Sequence, residues 1–329
     1  MPDTRKILIV GANSQDSIVL SKKLSREKNT IYATTRDTNR YGCRYSTIFP
    51  KNKIIYTKKY SKDFFIDLFK SIKFDQIYIF SSISAVQDKR YTEKDYIEST
   101  YGLVKNLCEA YKFSYREDNC IVFNSSSVEM FGKDLSGKQN ENTNLNPESP
   151  YAIGKTLAHS LLSDLRESGE ILSVNGIMYN HESIYRGENF VTQKICKGVG
   201  EISQNRFKKI KLGNIDIYRD WSFAGDIVDA ALYAMDHKLI GDYVLASGTA
   251  RPLSDWLKLS FAAIGMKEWE EFIDFDLSLK RDGREYIPSA DVTKAQKMLK
   301  LKNNIDFSEL VTHMTTHHVA GNSLPNYYH

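Results

Sequence analysis

Short apolar runs alternate with stretches of helical length along the first half of the chain, and this alternation restricts the fold more than any other feature. The runs are residues 6–10, 31–35, 54–56, 76–80, 120–123 and 171–177. Helical stretches stand between them, most clearly near 62–72 and 94–113. Strands that alternate with helices are joined by right-handed crossovers and form a parallel sheet. We therefore predict an α/β protein built on a doubly wound parallel sheet.

Beyond Asn180 the sequence becomes polar and rich in turns, which indicates that a smaller lobe begins there. Within this half we expect strands at 209–212 and 242–246 and a helix at 223–237. The predicted domains are residues 1–180 together with about 215–246, and residues 181–214 together with 247–329. The second of these is expected to be a smaller, mixed α/β domain that binds the substrate.

The bulk composition excludes several classes of protein. Lys and Arg number 45 against 41 Asp and Glu, and the net charge of +4 is too small and too dispersed to indicate nucleic-acid binding. No run approaches the roughly 20 apolar residues of a membrane span, and no signal-peptide core precedes the first apolar run. The cysteines show neither disulfide nor metal spacing; they are Cys43, Cys108, Cys120 and Cys196. We expect a cytoplasmic protein with no metal site and with no nucleic-acid or membrane partner.

The turn after the first apolar run has the spacing of a phosphate-binding glycine loop. Gly11 holds the first glycine position, whereas Ser14 and Ser17 hold the other two. Serine is small and can donate to a phosphate oxygen, so the loop keeps a cofactor-binding interpretation. The predicted cofactor contacts in the loop are Gly11, Asn13, Ser14, Gln15 and Asp16. An ordinary strand-to-helix turn that binds nothing remains an alternative.

The second apolar run ends at Arg36, with no acidic residue at the usual ribose-binding position before it. Arginine makes paired donor contacts with phosphate oxygens, so Arg36 favours NADP over NAD. A solvated loop arginine is the alternative. The third run is followed by Lys58 and Lys59, and nothing acidic stands there to hold an adenine amino group.

Tyr151 and Lys155 form the strongest catalytic signal. Ser149 and Pro150 are a good helix start, so Tyr151 lies in the first turn and Lys155 shares its face. A neighbouring ammonium favours phenolate over phenol, and a tyrosine of ordinary pKa, about 10, is a poor base. Glu129 ends the segment after the fifth run, at the sheet edge where open α/β proteins place their chemistry. A solvated loop carboxylate is the competing interpretation of Glu129.

Several segments together carry a family resemblance. They are 149–152, 175–183, 186–194, 212–214, 219–221 and 242–244. In order and approximate spacing they resemble the GDP-mannose 4,6-dehydratase family of the extended short-chain dehydrogenases/reductases, and the resemblance runs from residue 5 to about 300. It implies a Rossmann-type domain holding NADP and a smaller domain holding a GDP-sugar. It also implies a homo-oligomer, either a dimer or a tetramer.

The resemblance implies a role for individual residues. The implied catalytic residues are Ser127, Glu129, Tyr151 and Lys155. The implied cofactor contacts add Ser81, Tyr151, Lys155, Asn180 and His181 to the loop and Arg36. The implied substrate contacts are Ser84, Asn180, Glu182, Arg186, Lys194, Leu212, Gly213, Arg219 and one or both of Arg281 and Arg284. Arg186, Lys194 and Arg219 suit a diphosphate, although each could also be a surface charge.

The reaction that the resemblance implies is the loss of water from a GDP-sugar to give a 4-keto-6-deoxy product. The C4 hydroxyl is oxidised, water is eliminated across C5 and C6, and the hydride is returned to C6, so NADP is not consumed. GDP-mannose, a GDP-heptose and a GDP-N-acetylhexosamine all stay open as the sugar. A related epimerase or ketoreductase is one rival, but it has no use for Glu129. A non-catalytic NADP or sugar-nucleotide-binding protein is another, favoured by the loss of the two loop glycines.

The departures from the family pattern are concentrated at the cofactor end. Ser14 and Ser17 replace glycines, and Lys58 and Lys59 stand where the family usually has Asp and Leu. Ala85 replaces a histidine. These changes bear on cofactor affinity and on the sugar, and they leave the implied catalytic residues intact.

Overall fold

The computed structural model describes residues 4–36, 53–83, 90–115, 120–133, 137–206, 209–276 and 287–319. The strands of this part are β1 Lys6–Val10, β2 Thr30–Thr35, β3 Lys53–Tyr56, β4 Gln76–Ile79, β5 Ile121–Ser127, β6 Leu172–Met178, β7 Asn180–Glu182, β8 Ile210–Leu212, β9 Tyr218–Phe223, β10 Gly241–Leu245, β11 Ala250–Pro252 and β12 Ile273–Phe275. The α-helices are α1 Gln15–Leu24, α2 Lys62–Ser71, α3 Glu93–Ile97, α4 Leu103–Ser114, α5 Pro150–Glu167, α6 Val191–Ile202, α7 Ala224–Asp236, α8 Leu253–Ala262, α9 Thr293–Leu299 and α10 Phe307–Thr316. A π-helix at Glu98–Gly102 joins α3 to α4, and 3₁₀ turns lie at Val128–Phe131 and Glu270–Phe272.

A seven-stranded sheet in the order β10-β6-β5-β4-β1-β2-β3 forms the centre of the molecule. All of its neighbouring strands are parallel. The strand order reverses at β1, between β4 and β2, which is where α/β proteins of this kind open a crevice for a ligand. The predicted fold class, a Rossmann-type doubly wound sheet with a smaller mixed part, is confirmed.

Alternate residues of β1 belong to different layers of the core. Ile7 and Ile9 belong to an apolar cluster that continues as far as Met314, and Leu8 and Val10 belong to a second cluster. A strand sends successive side chains to opposite faces, so a strand buried on both faces needs an uninterrupted apolar run. That requirement explains why the runs of the first half predicted their strands correctly.

The second half contains short elements that periodicity did not predict. β11 and β7 flank β9 in a three-stranded sheet, and β12 pairs with β8, which is the strand predicted at 209–212. The segment predicted as a strand at 242–246 is β10, which lies at the edge of the large sheet, parallel to β6. The proposed division into two domains stays a prediction.

The predicted helix at 94–113 is interrupted by the π-helix. At this point α5 crosses closely, because a Cβ added to Gly154 would lie 3.3 Å from the carbonyl oxygen of Tyr96 and 3.4 Å from Cα of Ile97. π-turns are uncommon and often lie at functional sites. Here the turn adjoins the helix that carries Tyr151.

Cys108, Cys120 and Cys196 are buried free thiols, while Cys43 lies outside the described residues. None of the helices in the described ranges has the length and apolar character needed to cross a membrane.

Candidate active site

The first loop contacts the neighbouring strand end through Gly11. Its φ is +103°, and a Cβ at this position would lie 2.8 Å from the backbone of Ser81, which follows β4. The main-chain N–H groups of Gly11 and Ala12 both donate to the carbonyl oxygen of Thr34, at 3.2 and 2.8 Å. Only glycine combines this φ with this approach, so the loop has the backbone of a nucleotide-binding turn.

The two serines at the lost glycine positions bond within the loop. Ser14 caps α1, and its Oγ accepts the N–H of Ser17 at 3.0 Å. The Ser17 hydroxyl donates to the carbonyl oxygen of Gly11 at 2.7 Å and lies 2.8 Å from the Ser14 hydroxyl. Because Ser17 gives its proton to Gly11, Ser14 is the donor to Ser17. A phosphate that accepted from Ser14 would have to replace this bond.

The first turn of α1 is bound to β7 by buried side chains. Gln15 Nε2 donates to the carbonyl oxygen of His181 at 2.7 Å, and Ser183 Oγ donates to Gln15 Oε1 at 3.0 Å. Asp16 Oδ1 lies 3.0 Å from His181 Nε2. Three residues predicted to bind the cofactor, Gln15, Asp16 and His181, are therefore together, with their polar atoms directed at one another.

Asp16 and His181 form a buried ion pair. Burial alone would raise the pKa of the Asp16 carboxyl, but the charge and hydrogen bond of His181, aided by Arg186 and Lys155, lower it. Asp16 in turn raises the pKa of His181 against the opposing effect of burial. The other ring nitrogen, Nδ1, lies 2.7 Å from the carbonyl oxygen of Tyr179, which suits a doubly protonated imidazole.

Glu182 anchors Arg186 at the loop that follows β7. The Glu182 carboxylate accepts from Thr192 Oγ1 at 2.9 Å and lies 3.2 Å from Arg186 Nε. Burial raises the pKa of Glu182 despite this partner. The Arg186 guanidinium also lies 3.6 Å from the ring centroid of Phe190. Glu182, which was predicted to touch the substrate, is buried and holds the arginine in place.

Tyr151 lies where β5 ends and α5 begins. The start of α5 is as predicted, because Ser149 Oγ accepts the Ala152 N–H at 3.1 Å and Pro150 follows. Burial raises the pKa of Tyr151 to about 12; a hydrogen bond with Ser127 opposes this, while the charge of Glu129 raises it further. Ser127, Glu129 and Tyr151 are therefore close to one another at one strand end.

Lys155 is bound to β5 and not to the tyrosine hydroxyl. Its Nζ donates to the carbonyl oxygen of Ser125 at 2.5 Å and to the hydroxyl of that residue at 3.3 Å. Nζ lies 5.8 Å from the centroid of the Tyr151 ring. Burial lowers the pKa of Lys155 to about 8, and the charge of Asp16 opposes that change. Lys155 was expected to favour the phenolate form of Tyr151. In the protein alone this is not so, because burial raises the pKa of the phenol and is the largest effect on it.

A buried polar chain supports β5 from behind. Ser126 Oγ lies 2.9 Å from His159 Nδ1, and His159 Nε2 lies 3.6 Å from an oxygen of Asp242. Burial lowers the pKa of His159, which favours its neutral form. Arg166 pairs with the same aspartate at 2.9 Å. Lys155 and His159 thus bind neighbouring residues of β5 from one face of α5.

A separate cleft of about 460 Å³ lies beyond the ends of β2 and β3. Its lining residues are Arg36, Lys58, Lys59, Tyr60, Ile83, Tyr91, Asp95, Glu98, Ser99, Leu103 and Asn106. Arg36, predicted to meet a 2′-phosphate, therefore shares a cavity with both lysines. Asn13 lies beside the end of β2, because its Nδ2 donates to Thr35 Oγ1 at 3.3 Å.

Other predicted substrate contacts are less closely grouped. Leu212 is buried in the core, and its carbonyl oxygen accepts the N–H of Asp276 at 2.9 Å. Lys194 is exposed on α6, and Arg219 Nη1 donates to the carbonyl oxygen of Tyr218 at 2.6 Å. Asn180 opens β7 and is partly exposed, as is Gly213 after β8. Ser84, Arg281 and Arg284 lie outside the described residues.

Sequence reasoning missed two features of the site. Asp95 and Glu98 reach the cleft from α3 and the π-helix. Their distance along the chain from the end of β3 gave no sign that they would lie there. The charge of Asp16 raises the pKa of both His181 and Lys155. From its place in the first loop, Asp16 was predicted only to contact the cofactor. Among the described residues, no three His, Cys, Asp or Glu side chains are grouped so that they could hold a metal ion.

Comparison with known proteins identifies the family. A family model described as GDP-mannose 4,6 dehydratase matches residues 8–314. The chain belongs to the GDP-mannose 4,6-dehydratase family. The predicted family is thus confirmed.

Individual relatives agree with the family match. The chain is 37% identical over 192 residues to GDP-mannose 4,6 dehydratase 1 of Arabidopsis thaliana, an alignment that covers 58% of this chain and 53% of the relative. The alignment with a second Arabidopsis relative, at 36% identity, covers 51% of it, so the chain spans about half the length of these two proteins. GDP-mannose 4,6 dehydratase of Homo sapiens is 27% identical over 93% of this chain and 89% of the relative.

Solved structures resemble the whole fold. A putative epimerase from Burkholderia cenocepacia J2315 superposes with a TM-score of 0.82 at 15% identity, covering 98% of this chain and 100% of the other. RMD from Pseudomonas aeruginosa, solved with NADPH, superposes with a TM-score of 0.78 at 16% identity over 96% of this chain and 99% of that one. At these identities the likeness concerns the fold.

Proposed function

We propose that this chain is an NADP-dependent 4,6-dehydratase that converts a GDP-sugar to its 4-keto-6-deoxy derivative. One observation carries the proposal: the carboxylate of Glu129 lies close enough to Tyr151 to raise the pKa of its phenol. Epimerases and ketoreductases of this fold need the tyrosine and the lysine. A lyase needs an acid beside them as well.

The residues at the crevice fit a dinucleotide. Gly11 approaches the Ser81 backbone without room for a Cβ, and Arg36 supplies a cation beyond β2. NADP bound there would supply the reversible removal of a hydride from C4 of the sugar, with its return at C6. Membership of the dehydratase family supports this choice of cofactor.

Tyr151, Ser127 and Lys155 would handle the proton of the C4 hydroxyl. Ser127 bonds to Tyr151 and would orient the sugar hydroxyl beside it. With a pKa of about 12 the phenol is protonated at neutral pH, so a cation held against the ring is needed to lower that pKa before Tyr151 acts as a base. Lys155 is charged at neutral pH and lies 5.8 Å from the ring centroid.

Glu129 would act once C4 is a ketone. A ketone acidifies the hydrogen on the adjacent C5, and a carboxylate at this place would remove it and protonate the C6 hydroxyl as it leaves as water. The charge of Arg186 reaches this cluster, since it lowers the pKa of both Tyr151 and Asp16. We assign it, with Asn180, Lys194 and Arg219, to the diphosphate and nucleoside.

The experiment is incubation of the purified protein and NADP with GDP-mannose, a GDP-heptose and a GDP-N-acetylhexosamine. Mass spectrometry of the products should show the loss of one water from one of them. Conversion to an isomer of unchanged mass would indicate an epimerase. NADP binding without turnover of any of these sugars would favour a binding protein.

A further inference from the structure

The end of β5, residues 125–127, extends beyond the neighbouring strand β4. The β4–β5 ladder stops at Asn124, whereas the β5–β6 ladder continues as far as Ser127. This end meets the site directly, because the carbonyl oxygen of Ser125 accepts from Lys155 Nζ and Ser127 bonds to Tyr151. Among the described strands, backbone pairing therefore holds the end of β5 through β6 alone.

Ser126 lies between these two contact residues and is held by its side chain. Its Oγ lies 2.9 Å from His159 Nδ1 and accepts from Asn124 Nδ2 at 3.2 Å. The peptide unit that joins Ser125 to Ser126 is planar, so a backbone rotation at Ser126 turns the carbonyl that binds Lys155. The place of the Ser126 side chain is thus coupled to the direction of that carbonyl.

The surrounding groups assign the proton of the His159 ring. Burial lowers the pKa of the ring, which favours its neutral form. Nε2 lies 3.6 Å from an oxygen of Asp242, where a lone pair would face a carboxylate, so Nε2 carries the proton. Nδ1 is then the acceptor, and the Ser126 hydroxyl donates to it while it accepts from Asn124.

Asp242 fixes the other side of the ring. It pairs with Arg166 at 2.9 Å and accepts from Asn175 Nδ2 at 3.0 Å. Asp242 and Asn175 also lie opposite each other in the β10–β6 ladder. His159 is only 7% exposed, so its ring cannot turn without breaking buried contacts. The polar chain therefore connects β10 and α5 to the end of β5.

We propose that His159 is a positioning residue for the reaction: through Ser126 it holds the end of β5 at which Ser125 binds Lys155. The role is indirect, because His159 contacts Ser126 and Asp242 and acts on the site only through β5. The inference rests on the proposed dehydratase function and adds a determinant of its rate. A misplacement of about 1 Å at a reacting group can cost about 100-fold in rate.

The test compares His159→Leu, which removes the acceptor, with His159→Asn, whose Oδ1 can replace Nδ1 as the partner of Ser126. In His159→Leu we expect kcat for dehydration to fall about 10- to 100-fold, with KM for the GDP-sugar changed less than about threefold. His159→Asn should recover most of the lost rate. Ser126→Ala should reproduce the loss, and combining it with His159→Leu should lower kcat no further, because both substitutions remove the same bond.

Tyr111→Phe is the matched control, because it removes a buried hydrogen bond to β5 away from the site. The Tyr111 hydroxyl donates to the carbonyl oxygen of Cys120 at 2.6 Å, just before the strand begins. Its loss should lower the urea midpoint of unfolding and leave kcat unchanged. An equal fall of kcat in Tyr111→Phe and His159→Leu would reduce the effect to lost stability and overturn the inference. A rate in His159→Asn no higher than that in His159→Leu would do the same.

The titration of Lys155 gives a measurement that does not require turnover. Burial lowers the pKa of this ammonium to about 8, so in ¹³C NMR of protein labelled at lysine Cε it titrates apart from lysines of ordinary pKa. The signal is assigned by its absence in Lys155→Met. In His159→Leu the midpoint should rise, because a displaced ammonium meets more water. It should stay at the wild-type value in His159→Asn and Tyr111→Phe. An unchanged or lower midpoint in His159→Leu would contradict the positioning role.

Failure of the proposed function looks different in the same material. If wild-type protein removes water from none of the GDP-sugars while the Lys155 midpoint rises in His159→Leu, the positioning of Lys155 stands and the dehydratase proposal fails. If it removes water but neither kcat nor the midpoint depends on His159, the dehydratase proposal stands and the inference fails.

Discussion

Replacing Glu129 by glutamine gives the sharpest test of the elimination chemistry. The amide keeps the size of the side chain, and the main-chain N–H of residue 129, which donates to Ser127 Oγ at 3.3 Å, is unchanged. General acid–base assistance is worth about 10²- to 10⁴-fold, so we expect kcat for dehydration to fall by that factor, or by about 2.7–5.4 kcal/mol of transition-state stabilisation. Binding of the GDP-sugar, measured by calorimetry, should change little.

The electrostatics of the site make this result specific. The Glu129 charge raises the pKa of Tyr151, so its removal lowers that pKa and makes the phenol a more available base at neutral pH. A lower rate in Glu129→Gln therefore cannot be attributed to a smaller fraction of Tyr151 phenolate.

The assay is product formation in D₂O, followed by mass spectrometry. The wild type should incorporate one solvent deuterium at C5, and Glu129→Gln should form almost no product and exchange almost no hydrogen there. Glu148→Gln is the control, because this exposed carboxylate lies before α5 and accepts from the Lys133 N–H at 3.0 Å. Dehydration by Glu129→Gln within tenfold of the wild-type rate would refute the assignment of the acid.

Three other perturbations test the groups around this acid. Asp16→Asn should lower the free energy of unfolding by about 3–5 kcal/mol in urea titrations, because it leaves His181 buried without its counter-ion. Since the carboxyl pKa is lowered and the imidazole pKa is raised, the loss should be largest between about pH 4 and 7; it should shrink in acid, where the carboxyl is protonated in both states, and above the raised imidazole pKa. Gly11→Ala should cost about 1–3 kcal/mol of stability and weaken NADP binding, because φ is +103° and the methyl would meet the Ser81 backbone at 2.8 Å. Lys155→Met should reduce kcat/KM at least about 100-fold and abolish a fall in rate that the wild type shows above about pH 8, where Lys155 loses its proton.

Matched variants show which results would contradict these expectations. Asp229→Asn breaks an exposed pair with Lys23 and should cost at most about 1 kcal/mol, so an equal cost for Asp16→Asn would argue against the buried pair. Gly265 also has a positive φ, +80°, but a Cβ added there would have no atom within 4 Å. Gly265→Ala therefore measures the cost of backbone strain without a contact like that at Ser81. Persistence of the alkaline fall in Lys155→Met would assign it to another group.

The sequence predicted the parts of the site that depend on local order. The run ending at Val10, followed by Gly11, was predicted as a strand and a turn, and Ser149 with Pro150 marked the start of α5. Strands β1, β2, β4, β5 and β6 were predicted well because they are buried on both faces, whereas the edge strand β3 is partly exposed. β7 and β11, with three residues each, are too short to show a period.

Contacts between distant segments could not be predicted in this way. Asp16 and His181 are separated by 165 positions, and no helical or strand spacing connects them. The face shared by Tyr151 and Lys155 was predicted correctly from helix geometry. The protonation state of the Tyr151 phenol was not predicted correctly. It depends on burial, and the lysine that was expected to lower the pKa of the phenol is held by the carbonyl oxygen of Ser125, which comes from another element.

The close crossing at Gly154 has a consequence for the evolution of this site. Its missing methyl group sets how far α5 stands from the backbone at Tyr96 and Ile97, and the same helix carries the reactive phenol. An alanine methyl at this position would lie 3.3 Å from the carbonyl oxygen of Tyr96, so α3 and α5 would have to move apart by a few tenths of an ångström, and the Tyr151 hydroxyl would shift with α5. A change at residue 154 would therefore shift the phenol at residue 151 without altering residue 151 itself.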